Sequence, residues 1–418
     1  MADIHPLTSS ANKRECPDCG LLCMLPPLQP GLMADCPRCG YVLWRMRRVQ
    51  TIFPLCCALA GLIFYFITVL TPFIEITAFG RFSMAWLETG PLRLSSGGWQ
   101  LVGILVFLVT IVTPGLKLGI ITITLLGLKL DLPKTLLRAL FRWYAPLSPW
   151  AMADVYLLGF LVAYTKLVGM FSVNLDTALY GLIGMMLSMA TVDGSLDTEM
   201  VWRAIGKPAD PTAPSDVPSS WRAVMGCHVC GQLNREPNQT TCRRCDARLH
   251  DRKPASLSRC WSYTIAAACL YIPANLYPFM TLTSFGRTQS YTIMGGIVEL
   301  GQAGLWPLAL LVFFASITIP LLKLVGLVTM MVSTQRGSHK WLRARTVTYR
   351  LIEFIGRWSM IDVFMVSILV ALVHFGQFAN VLAGTGMMCF AAVVILTIFA
   401  VDVFDPRLMW DHYKGPVE

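Results

Sequence analysis

Charge is scarce in this sequence. Aspartate, glutamate, lysine and arginine make up 14% of its 418 residues, where a soluble domain carries about 25%. Hydrophobic residues make up 55%. That balance excludes an ordinary soluble enzyme and predicts a polytopic membrane protein. Catalytic signatures are missing as well. The chain contains no G-x-x-x-x-G-K-[ST], no G-x-S-x-G and no H-E-x-x-H, so neither ATP hydrolysis nor another enzymatic activity is expected of it. Residues 1–50 hold no basic, apolar and cleavage regions in that order, so no removable signal peptide is expected.

What charge there is sums to +10 and gathers at 45–48, 129–142, 243–259 and 336–350, beside apolar runs. Such a distribution follows the positive-inside rule. It is not the footprint of a nucleic-acid binder, so no nucleic acid is expected as a partner.

Cysteine is plentiful. Of fourteen, eight form four C-x-x-C pairs. Cys16-x-x-Cys19 and Cys36-x-x-Cys39 stand sixteen residues apart, the spacing of a four-thiolate zinc site. Both read Cys-Pro-x-Cys-Gly, which favours a tight knuckle turning backbone N–H groups toward sulfur. Cys227-x-x-Cys230 and Cys242-x-x-Cys245 form a second quartet with eleven residues between the pairs. Two structural zinc ions are expected, each in a closed tetrahedron, with disulfides or redox-active thiols as the alternatives. His228 and His250 lie nearby, but four thiolates already complete each site. The other six cysteines (Cys23, Cys56, Cys57, Cys260, Cys269 and Cys389) read as small buried hydrophobes.

Apolar runs at 52–74, 99–128, 150–171, 175–191, 260–282, 304–333, 352–375 and 381–400 read as eight spans. Run 99–128 would extend roughly 45 Å as a helix, longer than a bilayer core of about 30 Å, so it must tilt, kink at Pro114 or protrude. The stretch 75–98 has no basic excess and reads as a loop.

The chain repeats itself. Pro72-Phe73 recurs as Pro278-Phe279, and Pro114-x-x-Lys117 as Pro320-x-x-Lys323, both 206 residues on. Trp150-x-Met152-x-Asp154 recurs as Trp358-x-Met360-x-Asp362, 208 on; Leu187-Ser188 and Val192-Asp193 recur as Leu396-Thr397 and Val401-Asp402, 209 on. The expected fold class is an all-α polytopic membrane protein, a tandem duplication of a cytoplasmic zinc ribbon plus four transmembrane helices. The expected boundaries are a ribbon at 1–50, a helical module at 51–192, a linker at 193–225, a ribbon at 226–255, a second module at 256–402 and a tail at 403–418. Four spans per module make the repeats parallel and place both ribbons and both termini in the cytoplasm.

Each module carries charges inside its apolar runs. Lys117 and Lys323 each follow a proline, and Asp154 and Asp362 open the next run at comparable depth. A buried lysine is costly unless paired, so a Lys–Asp pair is expected in each module. Thr110 and Ser316 lie seven residues before their lysines, and Ser188 and Thr397 take matching places on the fourth helices. Each module could thus hold a Ser/Thr–Lys–Asp–Ser/Thr cluster serving proton or substrate coupling. The alternatives are lysines that snorkel and hydroxyls that only pack helices. Lys166 and His374 read as interfacial snorkelling groups, and Met185, Met186 and Met189 as packing residues rather than a metal site.

Three strings carry a family resemblance: YIPANLYPF at 271–279, GRWSMIDVF at 356–364 and FDPRLMWD at 404–411. With the two cysteine quartets, they make the chain resemble the paraquat-inducible protein A family over essentially its whole length. The first half departs more, with SPWAMAD at 148–154 in place of the GRWSM-x-D form. The resemblance implies an inner-membrane protein of a Gram-negative bacterium, partnered by a periplasmic MCE-domain protein that forms a tunnel. It implies phospholipid as cargo. Competing expectations are a proton-coupled exporter of small toxic compounds, a membrane thiol oxidoreductase using the C-x-x-C pairs, and an inert anchor for the tunnel.

Overall fold

A computed structural model describes residues 13–26, 28–47, 51–78, 81–168, 172–207, 224–234, 239–284, 287–338, 340–372 and 379–411, with backbone alone at 76–78, 81–83, 166, 167, 172, 284, 287 and 379. Residues 208–223 of the expected linker and the end of the expected tail lie outside these residues.

The first half opens with two short hairpins, β1 (Lys13–Glu15) with β2 (Leu22–Met24) and β3 (Met33–Asp35) with β4 (Val42–Arg45). Helix α1 (Ile52–Leu70) follows and stops at Thr71-Pro72. Strands β5 (Ile74–Ala78) and β6 (Arg81–Ala85) form an antiparallel hairpin in the stretch expected to be loop. Helix α2 (Thr89–Ser96) turns back before α3 (Gln100–Phe107) and α4 (Thr113–Lys129). Next come α5 (Lys134–Phe141), α6 (Tyr144–Leu147), a 3-10 turn (Ser148–Trp150) and α7 (Ala153–Val168). Strand β7 (Ser172–Leu175) pairs with β5, Ile74 opposite Leu175, giving the order β6-β5-β7. Helices α8 (Thr177–Ser195) and α9 (Thr198–Ile205) close the half.

The second half follows the same plan. β8 (Met225–Gly226) and β9 (Leu233–Asn234) belong to its ribbon. α10 (Ser256–Leu276), β10 (Met280–Ser284), β11 (Arg287–Tyr291), α11 (Ile293–Gln302), α12 (Trp306–Phe313) and α13 (Ile319–Gln335) follow, then α14 (Leu342–Gly356), a 3-10 turn (Arg357–Met360), α15 (Ile361–Leu372), β12 (Ala379–Ala383) and α16 (Thr385–Val403). The sheet order β11-β10-β12 repeats the first, with Met280 opposite Ala383. In both halves a strand between the third and fourth spans is stapled to the hairpin between the first and second. The sheets therefore tie all four helices together at the end away from the ribbons.

Among the described residues, six helical segments are long and apolar enough to cross a membrane: Ile52–Leu70, Gln100–Lys129, Lys134–Thr165, Trp306–Gln335, Leu342–Leu372 and Thr385–Val403. α8 with α9, bent by 71°, makes a seventh. α10 takes the place of α1 but carries more polar residues, among them Ser256, Arg259, Thr264 and Asn275. The third span of each half begins well before the expected position, because α5 and α14 convert the basic loops into amphipathic helices that join it.

The overlong second spans each contain a local widening of the helix. Residues Leu108–Val112 and Phe314–Thr318 form single π-helical turns immediately before Pro114 and Pro320. Proline has no N–H to donate and its ring crowds the preceding turn. A π-bulge absorbs both defects and often marks a functional position.

The halves meet around α15. In the span Leu342–Leu372, 83% of its apolar 18-residue stretch is buried within the protein, against 28–50% of the matching stretches in the other five. Gly90 on α2 and Gly159 on α7 allow the approach: a Cβ at Gly90 would stand 2.6 Å from Ser367 Oγ, and one at Gly159 3.0 Å from Ile361 O. Arg93 Nη1 donates to Ala371 O at 2.8 Å, satisfying a carbonyl at the C-terminal end of α15.

The ribbons are exchanged. The first packs its cysteines, Leu25 and Leu43 against second-half residues including Leu327, Met331, Tyr349 and Phe404. The second packs on first-half residues including Leu55, Leu125, Phe141 and Trp202. Within the stretch read as linker, α9 is fixed by Asp197, whose side chain accepts from Glu199 N and Met200 N, and by burial of Val201, Trp202 and Ile205.

Candidate functional site

Each quartet is built from two knuckles. Cys16, Cys36 and Cys227 each accept, at their carbonyls, the amide of the glycine four residues on: Gly20, Gly40 and Gly231. These glycines have φ +69°, a conformation that favours glycine. In the fourth knuckle Asp246 takes that place at φ +59° and bonds Cys242 O. The four sulfurs of each quartet lie within 4.8 Å of one another, and all eight cysteines are buried. Cys16 Sγ stands 3.4 Å from Cys39 Sγ, and Cys227 Sγ 3.6 Å from Cys245 Sγ. These separations are too long for a disulfide and close to the roughly 3.8 Å edge of a tetrahedron with Zn–S about 2.3 Å. The donor set therefore fits a four-thiolate metal ion in both ribbons. His228 and His250 stay outside the quartets; Arg407 Nη2 lies 3.4 Å from His228 Nε2. Among the scattered cysteines Cys23 and Cys260 are buried, while Cys56 and Cys269 are exposed on helices α1 and α10, so burial does not hold for all six.

The intramembrane charges are placed differently from the expected pairs. Lys117 does not meet Asp154, which is exposed. Its Nζ donates to Asp193 Oδ2 at 2.7 Å and Ser148 Oγ at 3.0 Å, and it sits over the Tyr144 ring. Tyr144 Oη donates to Asp193 Oδ1 at 2.7 Å. The reason is reach: Asp193 ends α8 beside the lysine, whereas Asp154 opens α7 on an outward face. Lys323, 2% exposed, donates to Gly356 O at 2.8 Å rather than to Asp362. Gly356 and Ser148 occupy equivalent places 208 residues apart, so both lysines reach the same spot beside a 3-10 turn, Lys323 at a backbone carbonyl and Lys117 at a hydroxyl. The end of α14 leaves a carbonyl that Lys323 satisfies.

Asp362, 2% exposed, instead accepts a hydrogen bond from Ser316, which also lies 2.7 Å from Val312 O. Ser316 stands in the π-turn. The pair forms part of the lining of a small cavity reached between β10, β11 and α11, with Tyr291, Thr292 and Met365 also in its wall. Thr110, the Ser316 equivalent, bonds only Val106 O, and Thr397 bonds Val394 O on its own helix. Ser188 is buried where α8 meets Gly61 of α1. The expected four-residue clusters thus reduce to a Ser316–Asp362 pair in the second half and a Lys117–Asp193–Tyr144 network in the first. Met185 and Met189 are buried in the core. The Lys166 side chain and His374 lie outside the described residues.

The comparisons with known proteins agree with this duplicated plan. The family description "Paraquat-inducible protein A" matches residues 53–206 and again 257–414. The chain belongs to the paraquat-inducible protein A family. Both matches leave out the ribbons and cover one helical set each. The Intermembrane transport protein PqiA of Escherichia coli K12 is 30% identical over 402 residues, 95% of each chain. The Lipophilic envelope-spanning tunnel protein A of the same strain is 29% identical, covering 96% of this chain and 92% of its own. A Probable intermembrane transport protein of Haemophilus influenzae is 25% identical over 96% of both. No solved structure matches.

Sequence reasoning missed the groups that dock the ribbons. FDPRLMWD at 404–411 was legible as a family string, and here it has a structural role. Arg407 makes a buried fork to Asp405, with Nε to Oδ1 at 3.1 Å and Nη2 to Oδ2 at 3.0 Å. It then reaches Glu15 of the first ribbon at 3.0 Å. The neighbouring Arg14 pairs with Glu199 on α9, which Arg244 of the second ribbon also holds at 3.1 Å. Burial raises the Asp405 carboxyl, but the Arg407 guanidinium and two backbone N–H donors outweigh it and leave it below the ordinary aspartate value.

Proposed function

We propose that this chain is the inner-membrane component of an intermembrane lipid transport system, loading phospholipid into, or extracting it from, a tunnel formed by a periplasmic MCE-domain protein. The observation that carries the reading is end-to-end similarity to relatives named for intermembrane transport and an envelope-spanning tunnel. The membrane-length helices supply the embedding such a task needs. The basic flanks at 129–142 and 336–350 lie at the ribbon end, which favours cytoplasmic ribbons and termini, with the sheets on the periplasmic side. Zinc is the ion that four buried thiolates suit, and in this role it is structural.

The Ser316–Asp362 pair is the polar device of the proposed machine. A proton taken up at the Asp362 carboxylate would cancel its charge and weaken the charge-assisted bond it accepts from Ser316. The π-turn carrying Ser316 and the start of α15 would then be free to move apart. Lys323, two turns beyond Ser316 along the same helix, stays tied to α14 through Gly356 O while this happens. An intramembrane carboxylate at a helix break is a functional position by its cost alone.

Reconstitution in vesicles with the MCE partner tests the reading. Wild-type protein is expected to move labelled phospholipid to acceptor vesicles, and Asp154→Asn to do so at a similar rate. Protein that moves no lipid with its partner present, while exporting a soluble compound without it, would replace this reading with the exporter.

A further inference from the structure

The sulfurs of the first ribbon are touched by a side chain from the opposite half of the chain. Arg350 on α14 places Nη2 3.2 Å from Cys39 O and 3.3 Å from Cys39 Sγ. Its Nε donates to Asp18 Oδ2 at 2.5 Å. The guanidinium lies over the Tyr41 ring, 5.3 Å from its centroid. Asp18 sits between Cys16 and Cys19, and Cys39 closes the other pair. One planar fork therefore reads both knuckles at once, which a lysine ammonium cannot do. The second ribbon is served from within: Asn234 Nδ2 lies 3.7 Å from Cys242 Sγ, and Asn234 Oδ1 accepts from Arg243 N at 3.1 Å. Arg350 also shares its helix with Gly356, the carbonyl that holds Lys323. A single fifteen-residue helix thus has the ribbon's sulfur near its middle and the lysine's acceptor at its end.

We propose that Arg350 is an outer-sphere ligand of the metal ion held by Cys16, Cys19, Cys36 and Cys39, and that metal occupancy in this ribbon sets the position of α14 in the opposite module. Four thiolates and a divalent ion leave a net charge of −2, and Arg350 is a cation from across the module boundary that stands against a ligating sulfur. Donors to ligating atoms orient the ligand and strengthen the site. Linkage makes the effect reciprocal: whatever the fork contributes to metal binding, the metal returns to the docking of α14. The inference rests on the metal reading and is independent of lipid transport.

The test uses full-length protein in detergent, challenged with a colorimetric zinc chelator while exposed thiols are alkylated and assigned by mass spectrometry. Wild type is expected to release two equivalents. In Arg350→Gln and Arg350→Lys, alkylation of Cys16, Cys19, Cys36 and Cys39 is expected about 10- to 100-fold faster, with Cys227, Cys230, Cys242 and Cys245 unchanged. Arg350→Lys keeps the charge and decides the matter if Arg350→Gln does not fold. Hydrogen exchange at 342–356 is expected to rise when wild type is stripped of metal. Release at wild-type rates in both variants, or unchanged exchange on stripping, overturns the inference and leaves the metal reading standing. Wild-type protein with no ion in the first ribbon overturns both.

Discussion

Among the described residues of the six membrane-length helices, the buried charged side chains are Lys117, Lys323 and Asp362. The lysines are equivalent by sequence and reach the same turn, yet of the two only Lys117 has a carboxylate partner, Asp193. Burial of Lys117, Lys323 and Asp362 was legible in the sequence, but Asp154 is exposed, and the partners were not legible. Equal offsets fix depth along a helix, whereas pairing depends on rotation, and the π-turns shift rotation without leaving a sequence mark. Asp193 stands in the repeat opposite Asp402, but the apolar run before it ends at 191, so its place on α8 is not legible from apolarity. Outside the membrane-length helices, the Asp405–Arg407 fork is a buried two-bond ion pair, with both residues at most 2% exposed. Asp405→Asn is expected to destabilise the protein by about 3–5 kcal/mol, the usual result of breaking a buried pair. The sign with pH follows from its depressed folded value. The stabilisation is fully present above the ordinary aspartate range and is lost as pH falls through the folded value. Thermal unfolding of wild type and variant should therefore converge in acid and differ most near neutrality.

At the scale of elements, helices were legible and strands were not. The spans announced themselves by length and apolarity. The sheets hid in segments that looked like loops, although both contain Phe-Gly-Arg, at 79–81 and 285–287. The boundaries of the third spans were misjudged because α5 and α14 are amphipathic, and their basic residues read as loop. The close approach of α2 to α15 depends on a missing side chain. Gly90→Ala would set a methyl group against Ser367 on both its hydroxyl and its carbonyl. A cost of about 1–3 kcal/mol is expected, as for overpacking generally, read as a lowered unfolding temperature. Gly119, where a Cβ meets nothing within 4 Å, is the control and should tolerate alanine.

At the scale of the whole molecule, duplication was legible and exchange was not. Residue offsets reveal that a module is repeated, but nothing in them says which helices a ribbon covers. The structure crosses the ribbons over, so each half is clamped by a metal-binding element of the other. Stripping the metal is accordingly expected to loosen contacts between halves as well as within the ribbons. Limited proteolysis should then cut the stripped protein between the helical sets sooner than the loaded one. The measurement that tests the central claim most directly is lipid transfer by Asp362→Asn under an imposed pH gradient, in vesicles with the proposed MCE-domain partner and with wild type alongside. Gradient-dependent transfer by wild type, falling to the protein-free level in a folded variant, is the result predicted here. Undiminished transfer by the variant would contradict it.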